Sequence, residues 1–202
     1  MSKQTNSRQT SRSRPQAVTV VAIVQALIGL AFLSIPIIGL MYGAQVQTAV
    51  DAEMVRQGHS TALLTQNHIS FTENGAATIV PTIVALIMIT LAWLNLAGKR
   101  AGLILSWVLQ PLVLAGNFLI MASQAAVVST LESVFKSTGD AALQSLNVQK
   151  LVDAAFNAYP SWVSSLVNAR NVVVILGSIL ILILLAIPST RGYFRKATAA
   201  AN

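Results

Sequence analysis

The chain has no cysteine, two histidines and few charges: 9% of its 202 residues are charged, against 54% that are hydrophobic. Each shortage closes off a class of chemistry. Without a thiol pair, the four-helix oxidoreductases that pass disulfide electrons to a quinone are excluded. Cysteine-ligated zinc and iron–sulfur centres are excluded too, and so are the outer-loop cysteines on which claudin-like and tetraspanin-like four-span proteins rely. Haem b inside a membrane bundle needs histidines within the spans. His59 and His68 stand nine residues apart in one polar stretch, which matches no ligand spacing, so they read as solvated loop side chains. There are no paired carboxylates within reach, no Gly-x-Ser-x-Gly and no phosphate-cradling glycine loop. Neither a cofactor nor an enzymatic activity is expected.

What charge there is leaves gaps. Residues 15–50, 74–98, 101–131 and 171–190 contain no Asp, Glu, Lys, Arg or His. About 20 apolar residues are enough for a helix to cross roughly 30 Å of hydrocarbon. None of the runs alternates with period two, so a barrel is not indicated. The expectation is an all-α membrane protein with four transmembrane helices near 18–43, 76–97, 102–128 and 171–188. The outer loops are then 44–75 and 129–170. The basic head "MSKQTNSRQTSRSRPQ" resembles the start of a signal peptide, but the apolar run behind it is about twice the usual h-region of 7–15 residues. A retained first span is expected.

The charges divide by side. Lys3, Arg8, Arg12 and Arg14 in the tail 1–16, Lys99 and Arg100 between spans two and three, and Arg191, Arg195 and Lys196 in the tail 191–202 have no acid among them. The two longer loops hold all six acids, with only Arg56, Lys136, Lys150 and Arg170 for company. Because basic loops stay cytoplasmic, both termini are expected inside a bacterial cell membrane. The net charge of +7 is on this reading a topology signal. No aromatic-studded basic face supports nucleic-acid binding. The head itself is too poor in apolar residues to order itself and reads as a flexible basic tail or as a docking peptide.

The outer loops carry their own patterns. Val46, Val50 and Met54 repeat every four residues, extending the first helix beyond the bilayer toward Gly58 as its C-cap. Ser129 and Glu132 have capping-box spacing. Val148, Leu151, Val152, Ala155 and Phe156 recur as one face of an amphipathic helix that Pro160 ends. Trp162, Val163, Leu166 and Val167 make a second stripe into span four. A helix on the outer membrane surface and a partner-binding helix both fit the first pattern. Trp93, Trp107 and Tyr193 fall near the inner boundary, and Tyr42, Tyr159 and Trp162 near the outer one, as interfacial anchors.

Inside the spans, three amides stand out. Gln110, Asn117 and Gln124 are a heptad apart, so each drifts only ~20° from the last and the three form a stripe on span three. Pro111 beside Gln110 frees the carbonyl of Trp107. Lipid offers amides no partner, so the stripe should face protein. Gln25 is a candidate mate on span one, and Thr82, Thr90 and Asn95 on span two. Gly39 and Gly43 have the spacing for close backbone approach. "NVVVILGSILILILLAIP" in span four is nearly all aliphatic and can face lipid or another protein. Two uses of the stripe compete: glue within the bundle or toward a partner, and a polar lining for a small-solute path or a quinone pocket. The absence of ionisable residues at depth argues against ion-coupled transport, and the lack of an internal repeat against an inverted-repeat transporter.

The exit from span four, "AIPSTRGYFRK" (186–196), joins Pro188 to an Arg-aromatic-Arg end. With the Ser/Arg-rich head and acidic outer loops, it resembles the small four-span membrane proteins of actinobacteria across the whole chain. Some proteins of that kind are accessory subunits of larger assemblies, including the cytochrome bc–cytochrome aa3 respiratory supercomplex. The resemblance implies a non-catalytic accessory or scaffold subunit with the lipid bilayer and other integral membrane subunits, cytochrome bc and aa3 components among them, as partners. It carries no binding residue across. A passive pore for a neutral solute, and an outer-surface adaptor built on residues 129–170, are the alternatives.

Overall fold

An uncharged helix has no reason to stop at the bilayer edge while its next turns keep an apolar face, and α1 does not stop. In the computed structural model, which describes residues 14–72 and 75–199 (without the side chains of 76 and 196–199), α1 runs unbroken from Gln16 to Arg56. At 1.5 Å per residue that is about 60 Å, twice the hydrocarbon thickness. Gly58 ends it, at φ +82°. Its N–H bonds to Val55 O at 2.9 Å and that of His59 to Met54 O at 3.0 Å. This pair of bonds requires the left-handed residue between them.

The described residues form nine helices and no strand: α1, α2 (Ala62–Gln66), α3 (Ala76–Leu96), α4 (Arg100–Ala125), α5 (Val127–Ser137), α6 (Ala141–Gln144), α7 (Val148–Asn157), α8 (Ser161–Ala186) and α9 (Pro188–Ala199). Four of them, α1, α3, α4 and α8, are long and apolar enough to cross a membrane. They close a ring in which α1 lies against α3 and α8, and α4 against the same two. Val18, Val21, Ile28, Phe32, Met88, Val174, Ile181 and Leu185 fill its interior. Lipid supplies no hydrophobic drive for helix pairing, so close approach depends on small residues. Gly29 lies where an added Cβ would be 3.0 Å from Ala85 O, and Gly177 where one would be 2.9 Å from Val24 Cγ1. At Gly43, the second of the expected pair, the approach is looser. A Cβ on Gly43 would meet only Thr72, at 3.9 Å.

Beyond the bundle, the extension of α1 nucleates a second core. Val50, Met54, Leu64, Phe135, Leu143, Leu151 and Val152 bury one another, so α2, α5, α6 and α7 form a helical cap on one end. The amphipathic second loop is therefore real, and most of its apolar face is turned onto the second core around α1. Phe156 alone of that face is 56% exposed. The capping box also fails. Ser129 lies inside α5, its Oγ donating to Ala126 O at 3.0 Å. Only Ala126 separates α4 from α5, so there is no open N-terminus to cap. In the cap, Glu53 is 6% exposed and pairs with Arg56 at 2.6 Å. Burial alone raises its pKa, but hydrogen bonds from Gln57 and Arg56 outweigh burial and hold the carboxyl below its ordinary value.

At the opposite, terminal end, Arg14, Lys99, Arg100, Arg191 and Arg195 are all exposed. Arg12 and the rest of the head through residue 13 lie outside the described residues, as do the Lys196 side chain, Glu73 and Asn74. The stretch anticipated as a tail from 191 is helical through Ala199. It is anchored by buried Phe194 and by Tyr193, whose ring lies over Gly98.

Candidate functional site

Two features hold the polar groups of the spans. The first is a set of locks in the terminal half. Gln25 of α1 donates to Ser106 Oγ of α4 at 2.9 Å. Asn95 of α3 donates to Gln25 Oε1 at 2.8 Å and to the same Ser106 Oγ at 2.9 Å. Three residues on three spans thus form a closed triangle, and all are fully buried. A turn higher, Gln110 donates to Ser178 Oγ of α8 at 2.8 Å, adding the fourth span. Gly102 makes room for the triangle, since a Cβ there would be 2.8 Å from Asn95 Oδ1.

The amide stripe is split by this arrangement. Gln110 reaches α8. Asn117 is fully buried, with Nδ2 3.6 Å from Met121 Sδ, and its Oδ1 accepts from no described residue. Gln124 is exposed and lies beyond the packed part of the bundle. Thr82 and Thr90 donate to carbonyls of their own helix, Thr78 and Leu86. Span four is not uniformly aliphatic in function: Val174, Gly177, Ser178, Ile181 and Leu185 face inward, while Val172, Leu176 and Ile183 face out. Sequence reasoning passed over Ser106 and Ser178. Ser106 stands four residues before Gln110 on the stripe's own face, and Gly177-Ser178 is the one small, polar interruption of the aliphatic run.

The second feature is a cleft of about 1460 Å³ in the cap half. Its walls come from Ser34 to Ile38 on α1, Ala77 to Pro81 on α3, Ile120 to Gln124 on α4 and Ser161 to Arg170 on α8, under a roof of α5 and the α7–α8 turn. No lining residue lies on the terminal side of Ser34, Pro81, Ile120 or Arg170. Tyr42 meets Tyr159 and Trp162 edge to face, at centroid distances of 6.3 and 6.1 Å, clasping α1 to the start of α8 beside the cleft. The three outer aromatics form one cluster.

Arg170 is the correction that matters most. It reads as the last residue of a loop, just outside an uncharged span. Because α8 starts at Ser161, Arg170 is its tenth residue, 4% exposed, on the cleft wall, with Nη2 donating to Asn171 Oδ1 at 3.0 Å. The uncharged run ends at Asn171, but the helix continues past it to Ser161. Among the described residues no group of three or more His, Cys, Asp or Glu is placed to hold a metal. His59 Nε2 lies 3.3 Å from Ser145 Oγ in the cap. Set against known protein families, characterised proteins and solved structures, the chain matches none.

Proposed function

We propose that this chain is a non-catalytic multi-pass protein of the bacterial cell membrane that serves as an accessory or scaffold subunit of a larger assembly, with its termini cytoplasmic and its cap outside. One observation carries the reading. The cleft ends above the terminal half, where the amides of the spans are spent on the Gln25–Asn95–Ser106 triangle and the Gln110–Ser178 bond. A space closed at one end binds or docks, whereas conduction needs a second opening. For a solute path to follow Gln110, Asn117 and Gln124, those buried bonds would have to break in every transport event. The separation of exposed basic residues at the terminal end from the acids of the cap supports the orientation. The resemblance to actinobacterial four-span proteins makes a respiratory assembly of cytochrome bc and aa3 type the first partner to seek.

The test is an affinity tag placed after Asn202, gentle solubilisation of native membranes, and identification of stoichiometric partners. Co-purifying integral membrane subunits support the reading, and haem-bearing ones its respiratory form. A chain recovered alone in mild detergent, combined with solute flux that Gln110→Leu and Asn117→Leu abolish in liposomes, overturns it in favour of a passive carrier.

A further inference from the structure

We propose that the terminal end of the bundle carries a fixed binding site for the phosphate headgroup of an anionic phospholipid, built from Lys99 and Arg100 at the α3–α4 turn and Arg191 and Arg195 on α9. The inference rests on the reading that the four spans cross a membrane. It depends neither on membership of a larger assembly nor on which side the cap faces.

Both basic pairs are held in place. At the end of α3, Gly98 takes φ +67°. Its N–H bonds to Asn95 O and that of Lys99 to Leu94 O, each at 3.0 Å. Because α4 starts at Arg100, Lys99 and Arg100 sit on a short turn beside the buried triangle to which Asn95 belongs. The helix α9 packs against α4 and α8. Phe194 is 1% exposed and Thr190 fully buried, which leaves Arg191 and Arg195, one turn apart, on the open face. Tyr193 joins the two pairs, since a Cβ on Gly98 would lie 2.9 Å from its hydroxyl. The rule that keeps basic segments cytoplasmic counts charges and needs no order. Four basic residues on a fixed turn and a packed helix exceed what orientation requires.

Charge and surroundings select the occupant. No Asp or Glu occurs in residues 1–50, 74–131 or 154–202, so the terminal half has no carboxylate side chain to pair with these four. All four are exposed, and like charges one turn apart on a helix repel each other. An external anion relieves that repulsion. Each guanidinium can take two oxygens of a phosphate at once. The adjoining surface is apolar. Ile104 lies one turn beyond Arg100, and Ile104, Trp107 and Ile183 are 52%, 38% and 57% exposed. In a bilayer, acyl tails cover such side chains, so one phospholipid meets the bases with its phosphate and the apolar flank with its tails. Inorganic phosphate would use the charge and leave the flank bare. A zwitterionic lipid would bring a cation of its own among the bases.

The full-length chain is purified from the membrane fraction, a step that tests the spans separately, and delipidated in a neutral detergent. It is then titrated with phosphatidylglycerol or phosphatidylcholine, and bound lipid is counted by native mass spectrometry. The expected result is saturable binding of phosphatidylglycerol, tighter than that of phosphatidylcholine and not displaced by millimolar inorganic phosphate. A photoactivatable phosphatidylglycerol should crosslink to peptides covering 98–107 and 188–195. One basic group near an anionic surface is worth a factor of about five. Arg191→Gln with Arg195→Gln should therefore raise the half-saturating phosphatidylglycerol concentration about 30-fold, and lysine at both positions should restore most of it. Should that variant fail to fold, Lys99→Gln with Arg100→Gln removes the other pair, with the same effect expected. Tyr193→Ala separates a fixed site from a diffuse basic surface. It keeps every charge but releases the turn from α9, and it should weaken phosphatidylglycerol binding several-fold with the helix content unchanged. Equal affinity for the two lipids, displacement by inorganic phosphate, crosslinks spread along the spans, or unchanged binding by Tyr193→Ala would each overturn the proposal.

Discussion

The triangle of Gln25, Asn95 and Ser106 makes a prediction whose size follows from its geometry. Three residues share three hydrogen bonds of 2.8 to 2.9 Å, so each residue takes part in two. A hydrogen bond between membrane helices contributes about 0.6 kcal/mol on average and at most about 1.7. Replacement of Gln25 or Asn95 by leucine, close to each in volume, removes two bonds without opening a large cavity. Each single change should cost about 1.2 kcal/mol. The double change removes all three bonds and should cost about 1.8 kcal/mol, not the 2.4 or so of two independent sites. The shortfall is one bond, that from Asn95 to Gln25. Leucine's more favourable transfer into lipid applies to the dispersed helices as well as to the bundle, so it largely cancels from the cycle. The assay is reversible unfolding in mixed micelles of increasing SDS fraction, followed by helicity. Strict additivity of the two changes would refute the shared triangle, and a single-variant cost near zero would refute its contribution to stability.

The other predictions are of different kinds. Gly102→Ala places a Cβ 2.8 Å from Asn95 Oδ1 and 2.9 Å from Leu94 C, so it should cost about 1–3 kcal/mol by overpacking in the same unfolding assay, whereas Gly116→Ala, which meets nothing, should cost none of that. Glu53 titrates below its ordinary value of 4.5, so its contribution to the cap is complete above that pH and is lost as the pH falls through the lower folded value. Protease resistance of the cap should drop in that acid window, and Glu53→Gln should flatten the dependence while lowering resistance at neutral pH. Because the chain has no cysteine, single cysteines report topology directly. Gln149→Cys in the cap should react with an impermeant maleimide in intact cells and Arg195→Cys only after permeabilisation; the reverse pattern would invert the assigned orientation.

Much of the architecture was legible because hydrocarbon imposes a coarse rule on sequence. The four uncharged runs became four long helices, and the four-residue repeat of Val46, Val50 and Met54 carried α1 to its glycine stop. Boundaries were less legible wherever charge stood in for helix end. Arg170 ends an uncharged run but lies inside α8, since nothing between Ser161 and Asn171 breaks a helix. The locks were half legible. Amides in lipid must find partners, which singled out Gln25, Asn95 and Gln110. Asn95 and Gln25 partner each other, but the remaining partners are serines, whose small side chains occur too widely to be noticed without geometry. The cleft was not legible at all. It is a space between four helices and a roof, contributed by residues from Ser34 to Arg170, and no local pattern encodes a gap.

The division of the bundle into a locked half and an open half suggests what the cap does. Among the described residues, every amide–amide and amide–serine bond between spans lies in the terminal half. Four apolar helices held at one end by such bonds have no reason of their own to stay apart at the other, since dispersion favours contact and helices pack like ridges into grooves. In the cap half the restraint comes from outside the spans. The α1 extension is fixed into the second core by Val50 and Met54. The start of α8 is held at Tyr42 by Tyr159 and Trp162. Entry of α4 into the cap is fixed by α5, whose Phe135 is buried in the same core. The cap thus spaces the helix ends as a lid frame spaces its legs, and the cleft exists because the cap is folded. Loss of the cap core, by Leu151→Ala for instance, should then let the cap-side helix ends close on the cleft without disturbing the triangle, about 38 Å from Val50 along α1, as expected for sites that share no partners. If the cleft survived with the cap unfolded, the helices would have to hold it open by themselves, and the locks alone would set its shape.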